Sequence, residues 1–342
     1  MSDFRSGFVS FVGRPNVGKS TLTNAIVGSK VAITSSKPQT TRKAIRGIKN
    51  TAAGQLVLVD TPGVHKPRTL LGQRLNALVE QTLGEVDLIA FCSPANEKIG
   101  PGDKRIVEEM LELKRPKKIA IATKIDAAAK EQVAAHLLEL SQLADWDEII
   151  PVSALTGQQV ELLTDVLISH LPVGPELYPK GMVSEEETDD QICELIREAA
   201  LEGLNEELPH SLAVTLDEII DGGKPEIFVS LWVERDSQKG IIIGKGGSNL
   251  KQIGSKARAA IEQLLGEPVT LRLQVKVSAN WQRDPKRLGS LGFYPFCGHC
   301  ASLIRCVPLS CLAAATRPNL GPLSSRSLLA AIQLETERRR KL

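Results

Sequence analysis

Residues 13–20 read G-R-P-N-V-G-K-S, a G-x-x-x-x-G-K-[ST] phosphate loop, and this octet constrains the chain more than anything else in it. It stands between an apolar run, 8–12, and a helix-compatible run, 21–27, so a strand feeds it and a helix leaves it. Its glycines let backbone N–H groups converge on phosphate oxygens, and the helix start adds partial positive charge. Gly13, Arg14, Pro15, Asn16, Val17, Gly18, Lys19, Ser20 and Thr21 are therefore candidate nucleotide-binding residues. Lys19 is expected to reach the β- and γ-phosphates, and the Ser20 hydroxyl to bind magnesium. The predicted fold class is α/β: a mostly parallel sheet with helices on both faces, followed by a smaller α+β unit.

At 342 residues the chain is long enough for two cores. Composition is that of a globular protein, 42% hydrophobic and 24% charged, and no apolar run reaches the roughly 18 residues of a membrane span. The first eleven residues carry Asp3 and Arg5 and run straight into a strand, with no pattern of an export leader. A cytoplasmic setting is expected, with the six cysteines reduced.

A phosphate loop does not choose its base; the features that follow it do. Runs 44–49 and 55–59 alternate across a turn-like 50–54 and predict a β-hairpin. The second run ends in Asp60, Thr61, Pro62 and Gly63, where a carboxylate can hold magnesium and a glycine N–H can meet the γ-phosphate. Buried strands are predicted over 86–92 and 118–122, with a helix over 101–114 between them. The second of these strands delivers Thr123, Lys124, Ile125 and Asp126 at its carboxyl end, where open α/β sheets bind ligands. One carboxylate can accept both N1–H and N2–H of guanine, whereas adenine leaves it unpaired; such sites discriminate by about 10⁴–10⁵. Taken alone, Asp126 reads equally well as a helix cap. Lys124 can lay its stem over the base, and a last strand, 148–152, leads to Ser153 and Ala154, whose backbone can face guanine O6.

With P-Q-T-T-R at 38–42 and D-T-P-G-V-H-K-P at 60–67, these segments resemble the guanine-nucleotide motifs of translation-factor-related GTPases, and specifically the Era family. The resemblance implies GTP/GDP as ligand, GTP hydrolysis, and Mg2+ held by Ser20, Thr41 and Asp60, since the family places its magnesium threonine just before arginine. Lys19, Asn16, Thr41 and Gly63 are the expected catalytic residues. Thr123 stands where the family more often has Asn, which predicts weaker base anchoring with specificity kept. Val64 replaces the water-orienting glutamine of many small GTPases, so slow intrinsic hydrolysis is expected. Asn16 has two readings: a ligand for K+, as in relatives carrying asparagine there, or a turn stabiliser.

A break at 171–175 and a linker over 176–184 close a first domain at 1–175. The next unit, 185–293, reads helix (190–206), strand (211–219), strand (226–235), helix (238–243), helix (248–265) and strand (269–277). Gly244, Lys245, Gly246 and Gly247 form a G-x-x-G loop between the two later helices, and α-β-β-α-α-β is the order of a type II KH domain. Gly244, Lys245, Gly246, Gly247 and Lys251 are the candidate RNA-binding residues, against the alternative of a helix–turn–helix. Segment 237–293 holds ten Lys/Arg and three Asp/Glu, while 183–236 holds three and sixteen, so one half attracts phosphate and the other repels it.

Over 8–293 the chain keeps the Era-family pattern, which implies 16S ribosomal RNA and the 30S subunit as partners, a role in subunit assembly, and peripheral membrane contact. A monomer is expected. Residues 294–342 depart from that pattern; C-G-H-C at 297–300 suggests zinc, but Cys306 and Cys311 do not repeat its spacing, and a poorly structured extension is the other reading. Two alternatives to the switch GTPase stand: a GTPase serving RNA modification, for which no catalytic cysteine motif is found, and a KH scaffold whose nucleotide site does not hydrolyse.

Overall fold

The structure, a computed structural model, describes residues 4–34, 41–42, 45–62, 69–202 and 211–293. Pro38, Thr40, Gly63, Val64 and the extension 294–342 lie outside the described residues.

The front half runs β1 (Arg5–Val12), α1 (Lys19–Val27), β2 (Ile45–Asn50), β3 (Gly54–Asp60), α2 (Leu70–Glu85), β4 (Leu88–Pro94), α3 (Pro101–Leu111), β5 (Lys117–Thr123), α4 (Lys130–Leu143), β6 (Glu148–Pro151) and α5 (Val160–His170). Its six-stranded sheet has the order β2-β3-β1-β4-β5-β6. Only β2 is antiparallel, paired to β3 in the expected hairpin. The rest is parallel and buried on both faces, which is why β4 and β5 read as apolar runs; β3, expected to alternate, is buried along its whole length. Alternation sorts the residues: Val9 and Phe11 pack with α1 and α5, while Phe8 and Val12 pack with α2 and α3. Helices α2, α4 and α5 add to the elements expected from sequence. For α2 the signal was present, as Leu71, Leu75, Val79 and Leu83 recur every fourth residue on its buried face.

The rear half runs α6 (Thr188–Glu202), β7 (Ala213–Ile220), β8 (Glu226–Val233), α7 (Asp236–Ile243), α8 (Ser248–Leu265) and β9 (Thr270–Val277), the expected order. Its sheet, β7-β8-β9, pairs β8 with β7 antiparallel and with β9 parallel, α7 and α8 forming the crossover. Helices α6, α7 and α8 cover one face through Ile192, Ile196, Ile242, Ile253 and Ile261. A 3₁₀ turn (Trp281–Arg283) and α9 (Pro285–Ser290) follow; Asp284 caps α9 by accepting from Lys286 N at 2.9 Å.

The stretch read as a linker is firmly packed. The buried Gln55 carboxamide accepts from Leu177 N (2.7 Å) and Tyr178 N (2.9 Å) and donates to Tyr178 O (2.9 Å). Ile48 N donates to Val183 O at 2.9 Å, so the chain continues along the edge of β2. A small separate core joins the halves: Leu71 and Leu75 of α2 meet Ala213, Leu288 and the fully buried Trp281. Trp281 donates through Nε1 to Ser211 O at 3.1 Å and stacks on Phe293 with centroids 6.0 Å apart. Trp281→Ala is expected to cost about 3–5 kcal/mol of unfolding free energy, read as a fall in the urea midpoint. A loss below about 1 kcal/mol would show that this core carries little.

Candidate nucleotide site and nucleic-acid interface

The loop between β1 and α1 is shaped by backbone demands. A Cβ at Gly13 would come within 2.5 Å of Cys92 O, so only glycine fits against β4. Gly18, at φ 99°, takes the left-handed conformation that starts α1, and Asn16 takes it at φ 63° on the loop tip. Alternating backbone hands of this kind turn N–H groups to one side as an anion nest. Lys19 Nζ folds over the loop and donates to Gly13 O (3.1 Å) and Arg14 O (3.0 Å). Desolvation pushes its pKa down, and the neighbouring Asp60 carboxylate opposes that shift. Pro15 and Thr21 are exposed, and Val17 is buried beneath the loop.

Asp60 closes β3 with no exposure to water. Its Oδ2 accepts from Ser20 Oγ (2.7 Å) and Thr41 Oγ1 (3.0 Å), and the two hydroxyls lie 3.4 Å apart. Burial raises the Asp60 pKa, while the Ser20 bond and the Lys19 charge hold it down. Its other oxygen, Oδ1, is buried without a hydrogen-bond partner. Three hard oxygens converging beside an orphaned carboxylate oxygen fit the donor set of magnesium. Thr61 and Pro62 follow, both buried.

At the carboxyl end of β5, Thr123 Oγ1 donates to Val17 O at 2.7 Å, tying that strand to the phosphate loop. Lys124 turns the chain at φ 55° and sets Asp126 into a 3₁₀ turn at the surface. Asp126 Oδ1 accepts from Ser153 Oγ at 2.5 Å, and the same hydroxyl accepts from Thr156 N at 3.2 Å. Ala154 follows on that loop, so the four segments singled out for guanine reach one end of the sheet.

In the rear half, Gly244 (φ 73°) is followed closely by Asn249, and a Cβ there would meet it at 2.8 Å. Lys245 and Gly246 stand exposed at the turn between α7 and α8. Beside them lies a groove of about 460 Å³, lined by Gly247, Leu250, Lys251, Gly254, Ser255 and Arg258 of the loop and α8 and by Leu271 and Leu273 of β9. The structure thus sets Lys251 and Arg258 beside an apolar trough, cationic groups next to an uncharged floor. Lys256 points elsewhere, to Glu202 at 3.0 Å. Sequence reasoning missed the leucines as a groove wall; their period-two spacing opposite a glycine of α8 was the available signal.

The two halves also meet beside the nucleotide end. Glu198 of α6 accepts from Thr34 N (2.9 Å) and Thr34 Oγ1 (3.3 Å) and pairs with Lys30. Arg42, next to Thr41 and almost fully buried, donates to Leu212 O at 2.5 Å. Burial, with the nearby Arg197 charge, pushes the Arg42 guanidinium down to about 9, against the pull of Glu194. Neither role was legible in the sequence.

Fold and site together define a class: a phosphate-loop GTPase carrying a KH fold. Comparisons narrow it. A family model described as a 50S ribosome-binding GTPase matches residues 8–124, and one described as a KH domain matches 207–282. "GTPase Era" of Nocardioides sp. is 58% identical over 301 residues, covering 84% of this chain and 96% of its own length. The Era of Mycolicibacterium smegmatis is 57% identical over 299 residues, 86% of this chain and all of that one. Two solved structures are similar at 36% identity over 85% of this chain: Aquifex aeolicus Era, a variant bound to GDP and aluminium fluoride (TM-score 0.81, 100% of that chain), and Era with MgGDPNP and nucleotides 1506–1542 of 16S ribosomal RNA (TM-score 0.82, 99%). The chain belongs to the Era family of GTPases, and it binds guanine nucleotide.

Thr123→Val keeps shape and removes the bond to Val17 O; GDP affinity is expected to fall about tenfold in titration calorimetry, with Thr123→Ser close to the parent. Unchanged affinity in the valine variant would mean that this tie does not support the loop.

Proposed function

We propose that this GTPase is a magnesium-dependent switch whose KH groove grips the 3′ region of 16S ribosomal RNA during maturation of the 30S subunit. The observation that carries the reading is the adjacency of Thr41 and Arg42: one side chain reaches Asp60, and the next reaches the backbone of the KH half. A change in what Thr41 touches therefore pulls on the element that precedes β7.

In this reading the loop 13–21 cradles the phosphates, with Lys19 leaving its carbonyl partners for phosphate oxygens. Ser20, Thr41 and Asp60 hold Mg2+, which supplies positive charge at the β- and γ-phosphates when bound. The MgGDPNP of the Era complex supports that assignment. Thr61 and Pro62 lead from Asp60 toward the γ-phosphate end; the candidate contacts Gly63 and Val64 lie outside the described residues. Asp126 selects guanine, with Ser153 Oγ orienting its carboxylate and Lys124 and Ala154 enclosing the base. Lys245, Lys251 and the glycines of the G-x-x-G loop receive the RNA backbone, and the RNA in the Era complex supports that role. The protein works in the cytoplasm as a monomer, with domains at 1–175 and 185–293. Among the described residues no helix is long and apolar enough to cross a membrane, and contact with the membrane's inner face rests on family likeness alone.

Calorimetry tests the nucleotide half: GTP is expected to bind at least 10³-fold more tightly than ATP, with the preference lost in Asp126→Ala. Lys245→Ala with Lys251→Ala is expected to weaken a 16S 3′ fragment more than tenfold and to lower the salt dependence of binding. Equal affinity for both nucleotides, or unaltered RNA binding, contradicts the respective half. Potassium at Asn16 is the finer part of the proposal: turnover is expected to rise when potassium replaces sodium, and Asn16→Ala to abolish that response. A rate indifferent to the exchange removes Asn16 from that role.

A further inference from the structure

Arg14 is the second residue of the phosphate loop, yet its side chain is engaged on α3 and on the loop between β4 and α3. Nε donates to Asp103 Oδ1 at 2.8 Å, and Nη2 to Glu97 Oε2 at 3.1 Å. Asp103 sits in the first turn of α3 with no exposure to water. Its second oxygen accepts from Gly100 N at 2.9 Å, so the carboxylate is held from both sides and cannot swing with the loop. The Asp103 bond is also the main reason the Arg14 pKa is raised. A charge-assisted pair with one member fully buried is stiff, and removing Arg14 leaves the buried Asp103 carboxylate uncompensated.

Three residues further on, the loop is held again. Val17 O receives the Thr123 hydroxyl, and Thr123 O in turn accepts from Ala95 N at 2.8 Å. Residue 14 is therefore fastened to α3 and the loop before it, and residue 17 to the end of β5, with only Pro15 and Asn16 spanning the gap, exposed and with Asn16 left-handed. Two fixed points three residues apart leave the tip almost no freedom of height.

We infer that Asp103 is a positioning residue for GTP hydrolysis: through Arg14 it sets where the tip Pro15–Asn16 stands over the terminal phosphate. This rests on the loop being the phosphate site. Diphosphate is held by the later part of the loop and by Lys19, whereas the tip matters where charge develops on the γ-phosphate. The anchor thus contributes to the chemical step more than to ground-state binding.

The test is a double-mutant cycle on the full chain. Asp103→Asn, which still accepts from Gly100 N, and Arg14→Ala are each expected to lower kcat about tenfold. The Kd for GDP should change little even where the thermal midpoint falls, as Arg14→Ala strands the buried carboxylate, and the double variant should be no slower than either single one. Arg14→Lys, which keeps the charge but not the two-armed reach, should fall between parent and Arg14→Ala. Single variants within twofold of the parent kcat, a hundredfold loss in the double variant, or a loss confined to GDP affinity would each overturn the inference. A parent chain that fails to prefer GTP refutes the nucleotide site instead, and does so before any variant is made.

Discussion

Asp60 Oδ2 accepts hydroxyl hydrogen bonds from two different parts of the chain, Ser20 at the start of α1 and Thr41 ahead of β2. A carboxylate at the end of a buried strand is costly unless such partners surround it. Three segments far apart in sequence are thereby brought to one point. That point lies at the carboxyl end of a parallel sheet, where backbone N–H groups of the loop and the start of α1 already favour anions. A phosphate-bound cation placed there competes directly for the groups that Asp60 now holds. Any exchange of partners is felt first at Thr41, whose neighbour Arg42 is committed to the rear half.

The rear half is attached so that this displacement has somewhere to go. Glu198 holds Thr34, and Leu212 O holds Arg42, so the segment between residues 34 and 42 is fastened at both ends to the KH half. Helix α2, which follows Asp60 in the chain, buries Leu71 and Leu75 against Trp281 and Leu288. Both chain segments that flank the phosphate end are thus packed on the unit that bears the RNA groove. Arg42 with its pKa depressed to about 9 marks how little water reaches that junction.

Much of this was legible beforehand. The phosphate loop, the hairpin of β2 and β3 and the buried strands announce themselves as apolar runs of the right length beside glycine-rich turns. The G-x-x-G loop gained meaning from the order of elements around it, and that order stands. What escaped was pairwise and distant: Glu198 with Thr34, Arg42 with Leu212 and Arg14 with Asp103 are 164, 170 and 89 residues apart. Local periodicity carries no information about such pairs; only closure of the fold does. The packing of 176–184 against β3 is equally non-local, since nothing near Gln55 in the sequence shows that its carboxamide satisfies the backbone at 177 and 178.

If the contacts of Glu198 and Arg42 couple the two halves as proposed, nucleotide state and RNA grip share one free-energy balance. The direct measurement is the Kd of a 16S 3′ fragment with the protein saturated by GDP and, separately, by a non-hydrolysable GTP analogue. The two values are expected to differ by at least fivefold, the range of ordinary allosteric coupling, and to converge in Glu198→Gln. Identical RNA affinity in both nucleotide states would contradict the account, leaving a GTPase and an RNA-binding module that merely share a chain.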